Sequence, residues 1–94
     1  MATASELKIR VEKPTDQKLK DMGVKSWPIW TKEASRFDWH YDSEETCYFL
    51  EGDVTVETSS GSVRIGKGNL VTFPKGLSCT WVVKQDVRKH YQFK

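Results

Sequence analysis

Glu45-Thr46-Cys47-Tyr48-Phe49-Leu50-Glu51-Gly52 is the stretch on which the fold turns. Read with a period of two, one face carries Glu45, Cys47 and Phe49, and the other carries Tyr48 and Leu50. The run is too short for a helix and holds aromatic and apolar residues on both faces, so Cys47–Glu51 is read as a strand. One face packs into a core. The other is expected to be covered by the N-terminal segment or by a second subunit. Gly52-Asp53 is read as a turn into a second strand, Val54–Glu57.

The same grammar continues in both directions. Downstream, Ser59-Ser60-Gly61 turns into a strand Ser62–Ile65, and Gly66-Lys67-Gly68-Asn69 turns into Leu70–Phe73. Pro74-Lys75-Gly76 breaks that strand, and Cys79–Val83 and Arg88–Phe93 are the last two. Upstream, Arg36–Tyr41 alternates Phe37, Trp39 and Tyr41 against Asp38 and His40. The aromatic parity is expected to face inward, because charge and imidazole are cheaper to leave in water. Pro28, in Val24–Trp30, excludes a central strand there but permits an edge. Thr15 is placed to cap a two-turn helix ending at Met22, with Gly23 as its stop, and Leu7–Val11 alternates as a strand. Short strands at this spacing, separated by glycine-rich turns, predict an all-β sandwich or barrel with one short helix.

Composition bounds the rest. At 94 residues the chain is read as a single domain over 1–94, with about 1–6 a loose end. A lone core of this size is marginal, so self-association would help it. A charged fraction of 30% balanced to a net +2 argues against a nucleic-acid surface, which needs clustered basic charge. No apolar run reaches the roughly 18–20 residues of a membrane helix, so no membrane partner is expected. Met1–Glu12 has no signal-peptide core, which makes the cytoplasm the expected compartment and two buried thiols the expected state of Cys47 and Cys79.

If the parities hold, Trp39, Tyr41, Glu45, Cys79 and Trp81 converge on one small-molecule pocket. Glu45 is the central candidate. A carboxylate among aromatics must be paired or carry a raised pKa, and a raised pKa suits acid–base catalysis. Its bland alternative is a structural carboxylate bonded to Tyr41 or to a backbone N–H. Tyr41 is the candidate hydrogen-bond partner. Cys79 is a nucleophile only if a cation lowers its pKa; His90 and Lys75 are the nameable activators, and a buried apolar filler is the alternative. Trp39 and Trp81 are candidate ligand-stacking surfaces, or simply barrel filling. Lys75, on the Pro74–Gly76 turn, is placed to pair an anionic ligand or to sit in water. Trp27 and Trp30 are expected to cover the barrel or meet a partner subunit. Arg88-Lys89-His90 is read as an edge strand with solvated charges.

These residues resemble the cupins. Glu45 and Gly52 stand with six residues between them, as in the first cupin motif, G(x)5HxH(x)3–4E(x)6G. Gly68, Pro74 and Gly76 match the second, G(x)5PxG(x)2H(x)3N. The resemblance covers roughly 34–93. Phe37-x-Trp39-x-Tyr41, Phe73-Pro74-Lys75-Gly76 and Arg88-Lys89-His90-Tyr91 look like one single-domain subgroup, related to ureidoglycine aminohydrolase and to ethanolamine-utilisation cupins. It implies a jelly-roll barrel and, often, a homodimer. A small nitrogenous metabolite as substrate follows by analogy alone.

The chain departs from the metal-binding cupins at their ligands. Cys79 stands at the second-motif histidine and Val83 at its asparagine. With three residues before Glu45, the first-motif histidine positions hold Trp39 and Tyr41. With four, they hold Asp38 and His40. No cofactor is therefore expected. The conditional metal set is Asp38, His40, Glu45 and Cys79, whose thiolate, imidazole and carboxylates would favour zinc or iron. The sequence thus supports an enzyme working through Glu45, with a non-catalytic ligand-binding module or a dimeric structural module as the alternatives.

Overall fold

The computed structural model describes residues 8–94. The expected loose end at 1–6, and Leu7 of the expected first strand, lie outside the described residues. The elements are β1 (Arg10–Glu12), α1 (Asp16–Met22), a 3-10 turn (Val24–Ser26), β2 (Ile29–Lys32), β3 (Ser35–His40), β4 (Glu45–Thr58), β5 (Gly61–Gly66), β6 (Leu70–Phe73) and β7 (Ser78–Phe93). The chain is mostly strand, and every pairing is antiparallel.

The helix forms where its caps predict. The Thr15 hydroxyl accepts the Lys18 N–H at 3.1 Å, and Gly23 closes the helix in the left-handed region at φ 68°. Val24, just beyond, is buried. This segment and His90 enclose a cleft over Tyr48 and Leu50, both half-buried. The second apolar face of the Cys47–Glu51 strand is thus covered, at least in part, by the chain's own N-terminal segment.

The expected turn at Gly52-Asp53 and the expected separation of the last two strands are both absent. Cys47–Glu51 and Val54–Glu57 are halves of one strand, β4, and Cys79–Val83 and Arg88–Phe93 are halves of β7. Gly52-Asp53 is a set of bulges in the β4–β7 ladder, where the register shifts three times between Phe49 and Val54. The physical reason lies at Gly52. Its φ is 125°, and a Cβ there would stand 2.7 Å from Val87 Cγ2 and 3.0 Å from Val87 Cα. Only glycine lets the two long strands cross this closely while both bend.

The bend makes two layers from shared strands. One layer runs β1–β6–β4–β7–β2, using the first half of β4 and the second half of β7. The other runs β5–β4–β7–β3, using the opposite halves. The core lies between them. Phe49 and Phe73 from the first layer pack against Trp81 from the second, at ring-centroid distances of 6.2 and 5.7 Å. Val54, Val56, Ile65, Val71 and Cys47 complete it, each 0–1% exposed. β2 is an edge strand, as Pro28 requires, and the Pro28 carbonyl accepts the Tyr91 N–H at 3.0 Å.

Candidate functional site

The aromatic parity of β3 faces the interior, as alternation predicts. Phe37 is half-buried, Trp39 is 48% exposed at a mouth, and Tyr41, just past the strand, is 1% exposed. Asp38 and His40 point away. Asp38 accepts from the Thr80 hydroxyl at 2.8 Å, and His40 Nδ1 lies 2.7 Å from Ser78 Oγ. Behind Trp39 is a cavity of about 200 Å³. Its walls and mouth are Trp30, Phe37, Trp39, Tyr91 and Phe93, and its floor is Tyr41, Glu45, Trp81 and Lys89.

The floor holds a buried ion pair. Lys89 and Glu45 are 3% and 5% exposed, and Lys89 Nζ donates to Glu45 Oε2 at 3.3 Å. Lys89 also donates to Cys47 Sγ at 3.1 Å. Its ammonium lies 4.7 Å from the Trp81 ring centroid and 4.9 Å from that of Trp30, so aromatic faces supply part of the solvation lost on burial. This overturns the reading of Arg88-Lys89-His90 as an edge strand with solvated charges: Arg88 is exposed, but Lys89 and His90 are buried and β7 lies inside the sheet between β4 and β2. Lys89 faces the core, and His90 is buried on the opposite face with Nδ1 2.9 Å from the Trp27 carbonyl oxygen. The signal was present in the alternation itself. Lys89, Tyr91 and Phe93 share one parity, and that parity pairs with Phe49, Cys47 and Glu45 on β4.

The remaining floor groups are neutral donors. Burial, and then the Glu45 carboxylate beside it, push the Tyr41 phenol far above its ordinary pKa, so it keeps its proton. Its hydroxyl and Trp81 Nε1 are buried without a hydrogen-bond partner. The nearby Trp81 indole draws the pKa of both the Tyr41 phenol and the Cys79 thiol down, against the larger effect of burial.

The other sequence candidates stand apart. Cys79 is 8% exposed and belongs to the hydrophobic core; it lines a groove on the Asp38–His40 side and not the aromatic cavity. Burial raises its thiol to about 11, and neither nameable activator is in contact with the cavity: Lys75 is exposed on its turn, and His90 is committed to Trp27. Burial likewise raises Cys47 to about 12, against the pull of Lys89. The two cysteines are free and buried. Trp30 packs edge-on to Trp81 at 5.8 Å and lines the cavity, while Trp27 is buried under the N-terminal segment.

The conditional metal set does not assemble. Asp38 and His40 are exposed, Cys79 pairs with Trp39 across β3 and β7 away from the aromatic cavity, and Glu45 faces the ammonium of Lys89. Among the described residues no three His, Cys, Asp or Glu side chains group around a common point. The cation beside Glu45 is the protein's own, and these residues do not fit the metal that many cupins hold.

The EutQ-like cupin domain model matches residues 19–91. A crystal structure of a DUF861 family protein from Thermotoga maritima is similar at 57% identity, with a TM-score of 0.90 over 93% of this chain and 100% of that one. The EutQ protein of Clostridium difficile is similar in fold at 23% identity and a TM-score of 0.64, over 69% of this chain and 52% of that one. A putative ethanolamine utilization protein Q from Salmonella typhimurium LT2 is similar at 23% identity and a TM-score of 0.63, over 69% and 53%. The chain spans about half the length of these last two. No curated protein matches it. No helix among the described residues is long and apolar enough to cross a membrane. With both motifs on one bent antiparallel framework and the domain model matched across most of its length, the chain belongs to the EutQ-like cupin family.

Proposed function

We propose that the aromatic cavity binds a small polar metabolite and that Glu45 exchanges a proton with it. The observation that carries this reading is the ion pair at the cavity floor. A carboxylate and an ammonium held at 3.3 Å and almost wholly buried are costly to keep, and they line the aromatic cavity beside Trp39. Lys89 orients Glu45 and balances its charge. Tyr41 and Trp81 offer hydrogens to a bound group, and Trp39 stacks at the mouth. Ethanolamine utilization, in the name of the Salmonella fold relative, extends by analogy only to a small nitrogen-bearing compound.

A non-catalytic binding module is the second reading. It is favoured by how little of the floor is free to react: burial keeps the Tyr41 phenol protonated, and Lys89 donates to both Glu45 and Cys47. Small amines, amides, ureas and amino acids screened by thermal shift, with hits followed by NMR for conversion, separate the two. Conversion by the wild type but not by Glu45→Gln supports catalysis. Conversion that survives Glu45→Gln removes Glu45 from the mechanism. Binding without conversion leaves the module, and a panel with no stabilising hit counts against the pocket.

Self-association is a separate proposal. Val11 on β1 and Ile29 on β2 are exposed apolar residues on the two edges of the larger layer. Sedimentation velocity at micromolar protein is expected to give a dimer, and a monomer would sink it.

A further inference from the structure

We infer that the cavity selects an uncharged, flat ligand presenting a carbonyl oxygen beside an N–H, as in a lactam or cyclic imide edge, with the oxygen towards Tyr41 and Trp81 and the N–H towards Glu45. This rests on the pocket reading above and goes beyond it by naming the ligand's chemistry.

Three observations carry it. The first is charge. Among the described residues lining the cavity, only Glu45 and Lys89 are charged, and they neutralise each other at 3.3 Å while 5% and 3% exposed. A third charge brought into this aromatic enclosure would be uncompensated, which disfavours carboxylates and ammonium compounds alike. The second is the unequal supply of hydrogen bonds. Among the described residues the Tyr41 hydroxyl and the Trp81 indole N–H are buried without a partner, and both side chains line the cavity. Native interiors rarely leave two such groups unpaired, and both can donate to one acceptor oxygen. Glu45 is the matching acceptor. It is close enough to Tyr41 to raise the phenol's pKa, and only its Oε2 is engaged by Lys89. A ligand edge with acceptor and donor side by side answers both needs. The third is shape. Phe37 and Trp81 stack at 24°, Trp30 and Trp39 stand edge-on to this pair, and the enclosed volume is about 200 Å³. Walls of this kind favour a single planar ring.

Four probes of similar size test it: 2-pyridone (neutral, with the edge), benzoate (anionic), benzylammonium (cationic) and toluene (flat, without the edge). Titrations are followed by 1H–15N NMR at the Trp81 indole N–H, assigned with Trp81→Phe. 2-Pyridone is expected to shift that resonance and to bind at least 10-fold tighter than the other three. Tyr41→Phe is expected to weaken 2-pyridone about 10-fold and to leave toluene unchanged. Benzoate or benzylammonium binding as tightly as 2-pyridone overturns the neutral-ligand inference while the pocket stands. Toluene matching 2-pyridone overturns recognition of the edge alone. If no probe moves any cavity resonance, the pocket reading falls, and this inference with it.

Discussion

Lys89 Nζ reaches Glu45 Oε2 at 3.3 Å, although the strand partner of Lys89 is Phe49 and that of Glu45 is Phe93. The side chain runs along the inner face of the β4–β7 ladder and passes Cys47, which it contacts at 3.1 Å, before it meets the carboxylate. The long lysine stem packs among rings and delivers its charge to the cavity floor.

That arrangement predicts asymmetric mutational costs. Lys89→Met leaves Glu45 buried without its partner and is expected to cost about 3–5 kcal/mol. Adding Glu45→Gln to Lys89→Met is expected to recover most of that loss, because no charge is then stranded. Urea denaturation of the two single variants and the double variant checks this. Additive losses would show that the pair is not coupled.

Tyr41→Phe removes a buried hydroxyl that has no partner in the structure. It is expected to be neutral or stabilising by up to about 1 kcal/mol in the ligand-free protein. Phe73→Ala, beneath the same ring at a centroid distance of 4.8 Å, is expected to cost about 3–5 kcal/mol. Thermal and urea melts of both variants distinguish a spare hydroxyl from an essential ring. A loss of more than about 1 kcal/mol in Tyr41→Phe would mean that the hydroxyl is satisfied.

Gly52→Ala places a Cβ 2.7 Å from Val87 Cγ2 at a φ of 125°. Strain and overlap together are expected to cost about 2–4 kcal/mol. Gly68→Ala, at φ 87° with nothing within 4 Å of the new Cβ, keeps only the conformational part, about 1 kcal/mol. Equal losses in the two variants would remove the crossing at Val87 as the reason for a glycine at 52.

The thiols give a pH dependence. Burial raises Cys47 from 9.0 to about 12 and Cys79 from 9.0 to about 11. A raised folded-state pKa means that the unfolded chain releases its proton first as pH rises. The contribution is therefore whole below pH 9, and it declines from there until the folded-state values are reached. Each thiol is expected to lower stability by up to about 1.4 kcal/mol per pH unit in that window. Urea melts between pH 8 and 11 should show the decline, and Cys47→Ala should flatten part of it. At pH 8 neither thiol should react with a disulfide reagent until the protein unfolds.

Much of the fold was legible locally. Thr15 and Gly23 bracket the helix because capping is a matter of a few residues. The inward turn of Phe37 and Tyr41 followed from alternation, and Pro28 marked its strand as an edge. The second apolar face at Tyr48 and Leu50 announced a cover, and the N-terminal segment supplies it.

Other features were decided across the chain. Whether Gly52 turns the backbone or bulges it depends on the strand alongside, and that strand contains Val87, thirty-five positions later in the sequence. Lys89 reads as a solvated charge until Glu45, 44 residues earlier, is seen to lie within reach, because only pairing β4 with β7 brings the two together. Cys79 shares the parity of Trp81, yet it lies in the core on the side of the Asp38–His40 groove and does not line the cavity. Period and punctuation are set by neighbouring residues, so the chain carries them openly. Alternation sets Lys89 on the face of Tyr91 and Phe93, but which partner its charge meets is set by long-range pairing, which no local pattern encodes.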